Sequence, residues 1–289
     1  MMPTARCLLA ALALLALPLA ANALGVLDRV KTSRTLAVAY DPNAYPISFK
    51  DDLDKPAGYA PDLCRRVATA IQRDLGLPGL AIKWIEGNTP RRLAAVVNGE
   101  ADLDCATTTL TLERQRQVDF SNVVFIESGA ILIREGARTH ARGYADLADL
   151  AEGRLGVVPE TTTERRLRRV LRLRSINMQL VPIKDAKDGR EQLLAGTLDA
   201  VAGDRLVLLG QIETSGASDL TVLEADYSLE PYAFALPRND ADFRLAVNAS
   251  LAEVFRGRAI DRIFARWFGE GAEPSELLAG LFAVYGFVD

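Results

Sequence analysis

The chain predicts an α/β fold of two lobes, each a mostly parallel sheet flanked by helices, with a ligand cleft between them. Three observations carry this reading. Short β-branched and apolar segments alternate with longer stretches of helical period, the pattern of βαβ units. The 289 residues exceed the usual extent of one hydrophobic core, even with a leader removed. The layout also occurs twice: in each half a strand runs into a threonine-rich turn that opens a helix, although no repeat of fixed period and no low-complexity linker is present.

The amino terminus bears on the compartment. Arg6 precedes an apolar run, Leu8 to Ala20, which leads into the small-residue triplet Ala21-Asn22-Ala23. This reads as a signal peptide cleaved after Ala23, giving a periplasmic protein; the processed chain is separately expected to be a monomer. The run is too short to span a bilayer, which needs about 20 apolar residues. Cys7 sits inside it without the small residues that precede a lipidated cysteine. A formal net charge of −4 argues against nucleic acid as a partner, which calls for a basic face. Cys64 and Cys105 survive processing, and an even pair in an oxidising compartment suggests one disulfide. Two buried thiols are the alternative.

The elements follow in order. Thr35 to Tyr40 reads as the first strand. Pro61 opens a helix with Leu63, Val67, Ala70 and Ile71 on one face, ending near Leu75 at Gly76. A strand at Leu80 to Ile85, a helix at Pro90 to Val97 and a short strand at Asp102 to Cys105 complete the first cycle. The second begins after Ile131 to Arg134, with a helix near Tyr144 to Leu150, a strand at Leu155 to Val158 and a helix at Thr162 to Leu173. Strands at Gln179 to Ile183 and Ala200 to Ala202 flank a helix from about Gly189 to Ala195. A strand at Leu220 to Leu223, another at Tyr232 to Leu236, and helices near Ala241 to Arg256 and Arg258 to Phe268 close the pattern. The apolar tail, Pro274 to Asp289, is expected to lie against the first lobe.

Two clusters carry chemistry. In the run Asp104 to Gln115, the threonines Thr107, Thr108 and Thr109 follow a strand, and Arg114 falls on the expected first turn of a helix. Hydroxyls, backbone N–H groups and a guanidinium together suit a carboxylate; a polar turn with a surface arginine explains the run equally well. In the second half, Thr161 and Glu164 have capping-box spacing, which marks a helix start and by itself needs no ligand. Asp204 follows a strand, where it serves either as a helix cap or as the anion for an ammonium. The lone histidine, His140, has no catalytic neighbour in the sequence. Neither a metal site nor a phosphate loop, dinucleotide fingerprint or G-x-S-x-G turn is present, so no cofactor is expected.

The residues Gly58-Tyr59-Ala60-Pro61-Asp62-Leu63, Asn98-Gly99-Glu100-Ala101-Asp102, Thr107-Thr108-Thr109, Glu113-Arg114, Val118-Asp119-Phe120-Ser121, Thr161-Thr162-Thr163-Glu164 and Ile263 to Phe268 occur in this order. In that order and spacing the chain resembles the periplasmic amino-acid-binding proteins of ABC importers (solute-binding protein family 3), closest to the glutamate/aspartate-binding branch. The resemblance implies a type II periplasmic-binding-protein fold. Residues 24–131 and 236–289 would form lobe 1 and residues 132–235 lobe 2, around an amino-acid ligand delivered to a membrane permease. It also implies roles: Arg114 on the ligand α-carboxylate, helped by Thr109 and the Thr161-Thr162 turn, with Thr107 and Asp204 receiving the α-ammonium. Thr89 and Arg92 match positions that bind a distal carboxylate in that branch.

Two departures weaken the acidic-ligand pattern. Asp41 stands where that branch has an arginine after the first strand, and Ala186 where it has a histidine. Losing cations and gaining an anion disfavours a distal carboxylate. Pairing of Asp41 with Arg92 would leave a neutral polar pocket, so acidic and polar amino acids both remain open. Tyr45, Tyr59 and Trp84 are candidates for an apolar wall, with core packing as the alternative. The arginines between Arg165 and Arg174 read as a solvated helix face. The resemblance leaves two other functions in view: a cyclohexadienyl-type dehydratase, and an accessory or sensory binding protein.

Overall fold

The computed structural model describes residues 25–134, 153–223 and 228–287. The expected signal peptide, Cys7, the helix at Tyr144 to Leu150 and His140 lie outside the described residues. The first segment holds α1 (Val26–Ser33), β1 (Thr35–Tyr40), the short strands β2 (Asn43–Ala44), β3 (Ser48–Lys50) and β4 (Pro56–Ala57), and α2 (Tyr59–Asp74). It continues with β5 (Ala81–Glu86), α3 (Thr89–Val97), β6 (Leu103–Asp104) and β7 (Val118–Arg134). Then come β8 (Arg154–Val157), α4 (Thr162–Leu173), β9 (Gln179–Pro182), α5 (Ala186–Leu194), β10 (Ala200–Asp204), α6 (Arg205–Ser215) and β11 (Leu220–Val222). The last segment is β12 (Ser228–Pro237), α7 (Ala241–Arg256), α8 (Ala259–Phe268) and α9 (Glu276–Tyr285).

One sheet runs through both lobes in the order β5-β1-β6-β12-β7-β10-β8-β9, with β11 also on β7. Its two ends are parallel: β5, β1 and β6 on one side, β10, β8 and β9 on the other. The junction is antiparallel. β7 and β12 pair from Val118↔Pro237 to Gly129↔Ser228, and the far half of β7 pairs with β10 from Gly129↔Asp204 to Ile133↔Ala200. A 17-residue strand reaches about 56 Å at roughly 3.3 Å per residue, enough to cross from one lobe into the other.

Each end has its own core. Leu36, Val38, Leu63, Val67, Leu103, Phe234, Phe243, Leu251 and Phe264 form one apolar cluster. Ile131, Leu155, Val157, Leu167, Ala200 and Leu223 form another on one face of the far sheet. Leu132, Ile183, Leu193, Val201 and Leu208 cover its opposite face. α9 lies on the first core, with Leu278 and Phe282 buried and Phe282 stacked on Phe255 at 4.3 Å between ring centres.

Cys64 on α2 and Cys105 after β6 are joined by a disulfide with Cα atoms 6.4 Å apart. The bridge ties the chain just ahead of the threonine run to the first core. Closing a loop with a sequence separation of 41 stabilises the fold by about 4 kcal/mol on the chain-entropy account.

Candidate functional site

A cavity of about 80 Å³ lies where the two ends of the sheet face each other. Since one water needs about 10–15 Å³ on this measure, the space suits a molecule of a few heavy atoms. Its wall comes from both lobes: Asp41, Asn43, Asn88, Thr89 and Thr107 on one side, Thr161, Thr163, Asp185, Ala186 and Asp204 on the other. The N-termini of α3, α4, α5 and α6 meet here, with the first three capped by the side chains of Asn88, Thr161 and Asp185 and with Asp204 at the N-cap position of α6. Their partial positive charges converge on one small volume.

The threonine run does not open an α-helix as expected. Arg114 begins a three-residue 3₁₀ turn, Arg114–Arg116. The run is instead pinned along β12: Leu110 N–H donates to Pro231 O at 2.8 Å, and Ala233 N–H to Thr108 O at 3.1 Å. That extended course turns Thr109 toward the other lobe, where its Oγ1 lies 3.4 Å from Thr162 Oγ1. Thr162 Oγ1 in turn donates to Glu230 Oε2 at 3.1 Å.

The Arg114 guanidinium is buried and donates to Thr109 O at 2.7 Å. No carboxylate among the described residues lies within ion-pair distance of it. Burial, then repulsion from Arg165, pulls its pKa down to about 10. Thr107 and Thr161 are on the cavity wall, whereas Arg114, Thr109 and Thr162 are not.

Asp204 ends β10 and starts α6, but its side chain makes no cap hydrogen bond. It is partly accessible from the cavity, and no cation among the described residues pairs with it. Burial among protein groups pushes its pKa up to about 7, with Tyr232 and Arg114 drawing it down and Glu230 and Asp41 adding to the rise. The Tyr232 hydroxyl is buried beside it, and burial first, then the Asp204 charge, holds the proton on the phenol.

Arg92 occupies a different place from the one expected of a distal-carboxylate ligand. It is fully buried and donates to Asp104 at 2.8 Å, Asp41 at 2.6 Å, Gly87 O at 2.9 Å, and Thr89 and Thr108 at 3.2 Å each. Its charge is used within the lobe, which is the Asp41–Arg92 pairing that the sequence left open. Burial opposes the Arg92 charge, and Asp104 and Asp41 more than restore it.

Tyr45 does not line the cavity either. Its hydroxyl donates to Glu213 Oε1 on α6 at 3.1 Å, bridging the lobes at the flank. Tyr59 is core: it is fully buried, with its hydroxyl on Val124 O at 2.7 Å. Trp84 packs edge-on to Tyr40.

Residues that the sequence did not single out hold the lobes together. Asn43 Nδ2 donates to Asp185 Oδ2 at 2.9 Å, Asn88 Nδ2 to Lys184 O at 3.2 Å, and Gln211 Nε2 to Asn43 O at 3.0 Å. Gly210 meets the Tyr45 backbone so closely that a Cβ there would overlap the Tyr45 carbonyl. Asn88 and Asp185 are legible as helix caps from local sequence; their bonds across the cleft are not.

The family model for bacterial extracellular solute-binding proteins, family 3, matches residues 36–270. The chain belongs to this family. Membership puts it outside the cytoplasm, and no helix among the described residues is long and apolar enough to cross a membrane. It is 28% identical over 268 residues to the L-glutamate/L-aspartate-binding protein of Pseudomonas aeruginosa, covering 92% of this chain and 87% of that one. It is 26% identical to the glutamate/aspartate import solute-binding protein of Escherichia coli, covering 87% and 82%. Among solved structures, an ancestral arginine-binding protein bound to glutamine superposes with a TM-score of 0.71 at 26% identity, covering 82% of this chain and 98% of that one. The two-lobed type II architecture of this family-3 protein is shared with such neighbours.

Proposed function

We propose that this family-3 protein captures a free amino acid by lobe closure and delivers it to the membrane permease of an ABC transporter. The carrying observation is a pair of complementary charges without partners of their own. The Asp204 carboxyl lines the cavity, the Arg114 guanidinium is near enough to act on it electrostatically, and neither has an ion-pair partner among the described residues. A zwitterion supplies what each lacks, its carboxylate gripped by Arg114 and its ammonium by Asp204 and Thr107. The Thr109–Thr162 contact is the one that the ligand carboxylate replaces, so the ligand joins the lobes. Closure then follows from the ligand's higher affinity for the closed state.

On this reading residues 24–131 and 236–289 move as one lobe and 132–235 as the other. The protein works as a monomer released by cleavage after Ala23. The relatives matched by sequence are named as binding and import proteins, which supports capture over the dehydratase alternative. A thermal-shift screen of the processed protein against the twenty common amino acids tests the proposal. Binding to the folded form alone raises the midpoint by mass action. Stabilisation by at least one amino acid, lost in Arg114→Ala, is expected; no stabilisation by any would refute it.

A further inference from the structure

Taking that reading of the cleft as its basis, we infer that the bound amino acid ends in a hydrogen-bond donor, an amide or ammonium nitrogen, and that the site rejects a second carboxylate. The inference runs against the named ligands of the two sequence relatives described above and rests on the cavity wall. Three aspartates, Asp41, Asp185 and Asp204, line it, and no lysine or arginine among the described residues does. Asp204 belongs to the ammonium end. Asp41 and Asp185 form the other end, beside Asn43, Asn88 and Ala186.

The nearest guanidinium does not neutralise this end. Arg92 is divided between Asp41 at 2.6 Å and Asp104 at 2.8 Å, so one cation serves two buried carboxylates. Asp185 then arrives from the other lobe on closure, held at 2.9 Å by the Asn43 amide. Its charge also raises the proton affinity of Asp41, after burial itself and against the pull of Arg92. The N-termini of α3 and α5 work in the opposite sense. They are already met, α3 by the Asn88 carbonyl on Arg91 N–H and α5 by the Asp185 carboxylate on Asp188 N–H. Each carboxylate oxygen of Asp41 and Asp185 accepts one hydrogen bond from the protein, which leaves lone pairs for a donor from the ligand. A ligand N–H placed between these oxygens relieves the repulsion that closure creates; a carboxylate adds to it.

Isosteric pairs isolate the distal group. Titration calorimetry of the processed protein with glutamine against glutamate, asparagine against aspartate, and 2,4-diaminobutyrate should give at least about tenfold tighter binding to a nitrogen-ended ligand than to its carboxylate counterpart. That ratio is what one like-charge repulsion produces in a partly hydrated cleft. Asp185→Asn keeps a competent helix cap and should narrow the ratio several-fold, with Asp41→Asn as the second variant should the first not fold. Equal or tighter binding of the acids, an unchanged ratio in a folded and binding variant, or binding confined to an apolar amino acid overturns this inference alone. Failure of all twenty amino acids to bind overturns the reading of the site as well.

Discussion

Gly210→Ala separates closing of the cleft from stability of the lobes. Gly210 lies within α6, where alanine is favoured over glycine by about 1 kcal/mol. With the lobes apart, the substitution therefore holds or raises the melting temperature, by up to a few degrees at this size. In the closed form the new Cβ overlaps the Tyr45 carbonyl oxygen and comes within 2.9 Å of the ring Cδ1. The lobes must move apart there, which breaks Gln211→Asn43 O at 3.0 Å and Tyr45→Glu213 at 3.1 Å. At about 1 kcal/mol per hydrogen bond, the closed state loses ~2 kcal/mol, and affinity falls about 30-fold. Calorimetry for affinity and a melt without ligand are the two assays. Wild-type affinity in a protein of unchanged or higher stability would refute the idea that capture requires this closed contact.

Other expectations follow from the same geometry. Arg114→Met should abolish binding while leaving the ligand-free protein as stable or more so, because the guanidinium is a buried charge without an anionic partner among the described residues; a melt and a titration together check it. Asp204 should impose opposite pH slopes on stability and affinity. With its folded pKa near 7 against an ordinary 3.8, the native state binds the extra proton between those values, so ligand-free stability falls as pH rises through that window. An ammonium requires the carboxylate form, so affinity should rise over the same window, by up to about tenfold per pH unit, and Asp204→Asn should flatten both curves. Replacing Cys64 and Cys105 together by serine should cost about 4 kcal/mol in denaturant unfolding. Truncation before α9, which removes Leu278 and Phe282 from the first core, should lower the melting temperature; an unchanged midpoint would show that the tail does not support that lobe.

Much of the architecture was legible in the sequence wherever a period met a boundary signal. α2 carries its apolar face at helical spacing and the Leu-Gly pair ends it, and α4 starts at the Thr161 cap. α6 escaped because Leu206 to Ile212 is apolar nearly all round, the mark of a helix covered on several sides, here by its own sheet and by Tyr45 across the cleft. β7 showed only its last four residues, since Ser121, Asn122, Glu127, Ser128 and Gly129 interrupt the alternation where the strand passes between lobes. The site was legible at its charged ends. Arg114 and Asp204 entered as site residues through the family resemblance, because a polar turn and a helix cap account for them equally well from local sequence. Thr109 was drawn toward Thr162 by pairing with β12, more than 120 residues distant in sequence, a contact that no local pattern encodes. The same holds for Asn43, Asn88 and Gln211, which look like ordinary turn, cap and helix residues until the lobes are brought face to face.

A crystal structure of the processed protein with the amino acid that stabilises it most tests the central claim directly. The carboxylate should lie about 2.7–3.0 Å from the Arg114 guanidinium, the range of charge-assisted hydrogen bonds, with the ammonium against Asp204 and the Thr109–Thr162 contact parted between them. Ligand density away from Arg114, or an ammonium turned from Asp204, would contradict it.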